Sequence, residues 1–293
     1  METFFTPEEV AEQLKVHLQT VLNYIKDGRL KALKLDKGYR ISESDFKQFT
    51  HGSLVVKTPE DYFLKLEYQK KYKAFRKTSM KPEKPLKDPI PNQNLEKLLE
   101  SASVVDKQGY RAFPFPSLSL VSANQQRWPD GILLEKEIAF AGDRLFFTFA
   151  SNQGEILTAE SLWEDAEASR LQNSIGLLTS IGIILRGLLF IPRYYSSVGY
   201  VGKIKYAFVI DKPAGRSLAM DSERHRVWRG GYIATTEDPI IIEKTVDVNI
   251  TVDQAKKVAV DMIMDFLWYF KCELNQDTVE GLVEEIAGNV SEI

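Results

Sequence analysis

The sequence predicts an α+β fold in two unequal parts. Within the first fifty residues the pattern passes from helical spacing to short alternating runs, and the remainder mixes strand and helix patterns in unequal groups. Between them lies a basic stretch followed by a proline-rich one, which reads as a join. The expected organisation is a small helical unit with a hairpin (residues 1–50), a basic helix and linker (51–92), and a larger mixed α/β domain (93–293). A chain of 293 residues suits two compact domains or one large one.

The first element opens at Thr6-Pro7-Glu8-Glu9. Thr6 can cap, Pro7 fits the first helical position, and Glu9 completes a capping box. Val10, Ala11 and Leu14 follow at helical spacing, and the pattern breaks at Lys15-Val16-His17. A second helix is expected from about Leu18 to Asp27, with Val21, Leu22 and Ile25 inward and Gly28 as its left-handed stop. Two short helices joined by a tight turn are the signature of a helix-turn-helix. Leu30 to Leu35, Asp36-Lys37-Gly38 and Tyr39 to Ile41 then read as a hairpin, and Ser42 caps a last short helix from Glu43 to Phe49. The order is that of a small winged helix-turn-helix.

The run FFTPEEVAEQLKVHLQTVLNYIKDGRLKALKLDKGYRISESDFKQF resembles the excisionase-type, MerR-like DNA-binding domains. The matching positions are Thr6, Glu9, Val10, Ala11 and Leu14, then Val16, Thr20 and Val21, then Gly28, Leu30 and Ala32, and finally Tyr39, Arg40 and Ile41. The resemblance covers residues 3–50 and implies that the second helix enters the major groove while the hairpin touches the DNA backbone. Many members carry Ser-Arg or similar polar residues at the start of that helix, where this chain has His17-Leu18-Gln19.

By position His17, Gln19, Thr20 and Asn23 fall on the exposed face of the second helix. Gln and Asn can pair with adenine edges, and Thr can touch a thymine methyl. Lys26, Lys34, Lys37 and Arg40 are candidate phosphate contacts. The plainer alternative is a solvated face, with Arg40 paired to an acidic neighbour and holding the hairpin.

Residues 60–77, EDYFLKLEYQKKYKAFRK, read as one amphipathic helix, with Leu64, Tyr68, Tyr72 and Phe75 within about 80° of one another. It could pair with its copy in a dimer, extend the phosphate contact, or pack on its own protein. Residues 78–92 carry four prolines and read as a linker or an extended arm on a surface.

In the body, Leu95 to Val104 looks helical, and Ile132 to Phe140 and Leu145 to Phe149 form a hairpin around Ala141-Gly-Asp143. A long apolar helix is expected from about Ala159 to Phe190. A strand follows from Lys203 to Ile210, and another contains Val246, Val248 and Ile250. Thr251-Val-Asp-Gln254 is a capping box opening a helix through Cys272, and a final helix starts near Thr278. The apolar run Ile175 to Ile191 is near the minimum length for a membrane span. Arg186 inside it and Pro192 at its end favour a buried helix instead, so no membrane contact is expected. The segment RGLLFIPRYYSSVGYVGKIKYAFVI is similar to a helix–GYxG–strand segment of some bacterial regulators and schlafen-like proteins regarded as ATP-binding. The positions are Tyr195, Gly199, Tyr200 and Gly202. It suggests a sensor or assembly domain, and Gly199 to Gly202 reads as a turn.

The loop DKPAGRSLAMDSERHRVWRGG gathers Arg216, Arg224, His225, Arg226 and Arg229 beside Trp228. It could hold an anionic ligand, a phosphate or single-stranded nucleic acid, or be a solvated loop whose arginines pair with Asp221 and Glu223. Glu164/Asp165 and Glu284/Glu285 read as solvated helix faces.

Composition narrows the function. One cysteine and three scattered histidines give no disulfide and no metal spacing, so no metal is expected. No phosphate loop, GxSxG or HExxH occurs, so neither an enzyme nor a bound cofactor is expected. No basic-then-apolar leader opens the chain, and a cytoplasmic location is expected. The net charge of −3 is uneven: residues 1–50 are neutral, 51–87 carry +6 and 88–293 carry −9. An acidic body repels nucleic acid, so contact with double-stranded DNA belongs at the front of the chain. The expected function is a DNA-binding transcriptional regulator or excisionase-like factor, with a C-terminal domain that homodimerises or senses a signal. The alternative is a subunit of a mobile-element or phage-defence assembly that binds protein partners through residues 93–293.

Overall fold

The computed structural model describes residues 4–14, 18–26, 30–35, 38–46, 72–109, 111–114, 124–128, 130–138, 144–165, 169–221 and 229–290. The chain divides into two compact units, Met1–Tyr62 and Phe63–Ile293.

The N-terminal unit runs β1 (Phe4–Phe5), α1 (Pro7–Leu14), α2 (Leu18–Lys26), β2 (Leu33–Leu35) and β3 (Gly38–Ser42), then a helical turn at 43–46. The strands form an antiparallel sheet in the order β1-β3-β2, with Phe4 opposite Ser42 and Leu33 opposite Arg40. Gly38 begins β3 at φ 116°, a conformation that glycine adopts without steric cost. The helix starts and the pairing of the hairpin strands fall where the residues place them, and Gly28, the expected stop of the second helix, lies outside the described residues.

The C-terminal unit is organised on a seven-stranded antiparallel sheet. Its strands are β4 (Phe75–Pro82), β7 (Asn124–Trp128), β8 (Gly131–Ile138), β9 (Arg144–Ser151), β10 (Ile156–Ser161), β12 (Lys203–Ile210) and β15 (Ile240–Asp247). They stand in the order β15-β12-β4-β10-β9-β8-β7. Among the described residues four helices accompany it: α3 (Asn92–Ala102), α4 (Leu177–Ser197), α5 (Val252–Trp268) and α6 (Gln276–Ala287). A small sheet of β11 (Ser174–Gly176), β13 (Ser217–Ala219) and β14 (Arg229–Ile233) leads into α4. The pair β5 (Val104–Val105) and β6 (Arg111–Phe113) completes the unit.

Register decides which side chains lie beneath α4. Arg76 stands opposite Glu160 and Ile210, Thr78 opposite Thr158 and Phe208, and Glu160 opposite Phe146. Because side chains alternate across a strand, all of these share one face of the sheet. Tyr206 lies on that face, and its hydroxyl donates to the Ile184 carbonyl of α4 at 3.3 Å. The contact is close enough that a Cβ at Gly187 would collide with the Tyr206 ring.

Strand β4 corrects the reading of the connector. Residues 75–77 were expected at the end of a helix and 78–82 at the start of a linker, yet 75–82 form a central strand of the sheet. Phe75, Arg76, Thr78 and Met80 are buried there, and downstream Leu86 and Ile90 are buried in the core. Burial along β4 alternates, with Arg76, Thr78 and Met80 inward and Lys77, Ser79 and Lys81 less buried, but Arg76 and Thr78 are polar, so the alternation does not show in hydrophobicity. The expected helix before residue 72 lies outside the described residues.

The long helix expected from Ala159 also fails. Residues 156–161 are strand β10, 163–165 a 3₁₀ turn, and α4 begins at Leu177. Pro192 sits inside α4, which runs on to Ser197. The strand expected at 246–250 ends at Asp247, and most of it precedes Val246. The capping box of α5 is complete: Gln254 N donates to Thr251 Oγ1, and Thr251 N donates to Gln254 Oε1 at 2.9 Å.

Among the described residues, α4 alone is long and apolar enough by length and composition to cross a membrane, and 67% of its most apolar stretch is buried. Gly199 (φ 67°) and Gly202 (φ 150°) turn the chain from α4 into β12. Tyr195 donates to the Gly154 carbonyl and Tyr200 to the Lys203 carbonyl, so the GYxG segment is a structural turn.

Candidate nucleic-acid interface

The N-terminal unit is built around six buried side chains: Val10, Ala11, Val21, Leu30, Ile41 and Phe46. Phe5, Leu18, Ile25 and Ala32 pack around them, and the Phe5 and Phe46 rings meet edge to face at 5.4 Å. Each of α1, α2, β3 and the last turn therefore supplies at least one core residue, and β1 covers them with Phe5. In so small a unit this cluster, together with the helix caps, fixes the angle between the helices.

Both capping bonds of α1 are present. Thr6 N donates to Glu9 Oε2 at 2.7 Å, and Glu9 N donates to Thr6 Oγ1 at 3.3 Å. Ser42 caps the last turn in the same way, accepting from Asp45 N at 3.0 Å while its hydroxyl donates to Asp45 Oδ2.

A family model described as a helix-turn-helix domain matches residues 4–52. This segment is a helix-turn-helix domain. No curated protein and no solved structure matches the chain.

On the helix-turn-helix domain the predicted contact residues fall as follows. Gln19 is exposed on α2, turned away from the core that its neighbour Val21 enters. Thr20, Asn23 and Lys26 are helical residues of α2. Lys34 is exposed on β2, opposite Tyr39. Arg40 on β3 is half-buried, and its Nη1 donates to the Tyr39 carbonyl at 2.9 Å. The guanidinium thus braces the hairpin's own backbone. His17 and Lys37 lie outside the described residues. Leu33 on β2 is 59% exposed, an apolar side chain on the hairpin that sequence patterning did not single out.

Of the candidate anion loop in the C-terminal unit, the structure describes Arg216 in full. Arg216 is buried, and its guanidinium forks onto Asp165 through bonds of 2.7 and 2.8 Å, while Nε donates to the Lys212 carbonyl. Three of its five donors are thus engaged, and the charge is neutralised in place. Arg229 belongs to β14, and Arg224, His225 and Arg226 lie outside the described residues. Asp221, an expected partner of the loop arginines, instead caps α4. It accepts from Leu178 N at 2.7 Å, from Thr179 N at 3.0 Å and from the Thr179 hydroxyl. A carboxylate there complements the positive end of the helix.

The acidic pair Glu164/Asp165 is likewise not a solvated face. Glu164 is fully buried, accepting from Arg76 Nη2 at 2.6 Å and from Gly176 N at 2.7 Å, and Asp165 holds Arg216. Glu284 does fit the solvent-facing reading, pairing with Lys256 at the surface.

Proposed function

We propose that the protein is a DNA-binding regulator of the excisionase-type, MerR-like kind, acting in the cytoplasm. In this reading α2 lies in the major groove and offers His17, Gln19, Thr20 and Asn23 to base edges. The β2–β3 hairpin acts as a wing along the sugar-phosphate backbone, with Lys26, Lys34 and Lys37 as cationic contacts. Arg40 supports the wing from within and stands behind the phosphate contact. The C-terminal unit dimerises or responds to a signal, and two linked modules bind a paired site through effective concentration. No catalytic step is assigned.

The observation that carries this reading is the exposed Gln19, on the second helix of a segment that matches the helix-turn-helix family. A bidentate amide–adenine pair is worth about 1–3 kcal/mol of discrimination. Gln19→Ala and Asn23→Ala should therefore relax sequence preference in a duplex-binding assay. Unchanged affinity and preference in both variants would contradict the placement of α2.

A further inference from the structure

Beneath α4 the sheet holds a cavity of about 210 Å³, lined by Arg76, Arg144 and Arg186, with Glu160 as the single acid among its described walls. The three guanidiniums are not equivalent. Arg76 has its charge paired, its Nη1 donating to Glu160 and its Nη2 to Glu164, each at 2.6 Å, although its Nε is buried without a partner. Arg144 and Arg186 make no hydrogen bond and no ion pair among the described residues, and the Nε of each is buried without a partner. Arg144 rests over the Phe146 ring, 4.9 Å from its centroid. Arg186 lies back along α4 onto Gly182, where a Cβ would stand 3.3 Å from its Nη1. Glycine at that position makes room for the guanidinium.

Burial pushes the proton affinity of Arg186 down, and Glu160 and Asp106 only partly restore it. A guanidinium has five donors and no acceptor function, so it must be met by acceptors or remain costly to bury. Two such groups face one cavity in which Glu160, the single acid among the described walls, is already held by Arg76.

We propose that this cavity is an anion site that takes a small phosphate-bearing molecule. A phosphate monoester is close to a dianion at neutral pH, so it neutralises both free guanidiniums and offers the acceptor oxygens that forked donors match. The volume lies below the roughly 300–1,000 Å³ typical of sites for drug-sized ligands, which leaves no room for a nucleotide. Phe113 and Phe146 supply apolar wall for a short organic body. The site stands on the C-terminal unit alone and does not depend on DNA binding.

The test is calorimetric titration and thermal unfolding of the full chain with inorganic phosphate, phosphoglycolate and succinate, at an ionic strength held constant with sodium chloride. Saturable binding of phosphate or phosphoglycolate is expected, with a rise of about 2–4 °C in the unfolding midpoint at high occupancy. Arg186→Met should abolish the rise while leaving the unliganded midpoint equal or higher, because an unneutralised buried charge is removed. Gly182→Ala keeps every charge but crowds the guanidinium, and should weaken binding by about tenfold. Absence of saturable binding to both phosphate compounds, or binding undiminished in both variants, overturns the site. Binding of succinate alone overturns the assignment to phosphate.

Discussion

Arg76 and Glu164, distant in sequence, meet at 2.6 Å with both side chains fully buried. Glu164 also accepts from Gly176 N at the threshold of α4, so one carboxylate ties the central strand β4 to the first turn of the core helix. Removing Glu164 leaves Arg76 paired with Glu160 alone, and leaves Arg76 Nη2 and Gly176 N buried without an acceptor, at a cost of about 1–3 kcal/mol for each donor. Glu164→Ala should lower the unfolding free energy of the C-terminal unit, read from urea titration, by at least the cost of one such donor. A change within about 0.5 kcal/mol, the range of ordinary surface substitutions, would show that the pair does not hold the unit together.

Phe46 anchors the helix-turn-helix domain through its edge-to-face contact with Phe5. A buried Phe→Ala change costs about 3–5 kcal/mol, comparable to the whole stability of so small a unit. Phe46→Ala should therefore remove a separate low-temperature calorimetric transition and DNA binding together. The transition of the C-terminal unit should stay where it is. Loss of both transitions would contradict the two-unit division.

Burial raises the ionisation of Tyr194, Tyr195 and Tyr206 well above the usual phenol value. Each phenol is neutral in the fold, and its folded pKa exceeds its unfolded one. Stability from these groups is fully present below about pH 10 and is lost as pH climbs toward the raised folded values, because only the unfolded chain ionises in that window. The urea midpoint should be insensitive to these groups from neutral pH to about 9 and fall steeply above 10. Tyrosinate absorbance should grow for them only on unfolding. Full titration of all tyrosines in the native state below pH 10 would contradict their burial.

The exposed lysine of the hairpin makes a prediction of a different kind. If Lys34 meets a phosphate, Lys34→Ala should weaken binding to all duplexes alike and reduce the salt slope by about one. Arg40→Ala should behave differently, destabilising the hairpin because the guanidinium donates to the Tyr39 carbonyl. A larger fall in salt slope for Arg40→Ala than for Lys34→Ala would reverse these two roles.

Local signals in the sequence were good guides where short-range chemistry decides structure. The Thr6–Glu9 and Thr251–Gln254 boxes, the β2–β3 and β8–β9 hairpins and the strand at 203–210 all rest on neighbouring residues. What sequence missed depends on long-range pairing. Strand β4 carries lysines and a proline that look like a linker, and only pairing with β10 and β12 makes it central. Strand β10 carries Glu160 one residue before its end, and the run beyond it contains Glu164 and Asp165, whose polarity looked solvent-facing. Their partners, Arg76 and Arg216, lie far away in sequence. The cavity arginines stayed hidden for the same reason: Arg76, Arg144 and Arg186 come from segments with no local motif and meet only through sheet register. In the helix-turn-helix domain the fold was legible to the level of core residues, while the bond from Arg40 to the Tyr39 carbonyl was not, because no pattern reports a backbone partner.

The most direct test of DNA binding is selection of a random duplex library by the full chain at two salt concentrations, with Gln19→Ala selected in parallel. The predicted result is salt-sensitive recovery of an enriched motif with paired half-sites, lost or relaxed in the variant. No recovery of duplex at either salt would contradict the assignment.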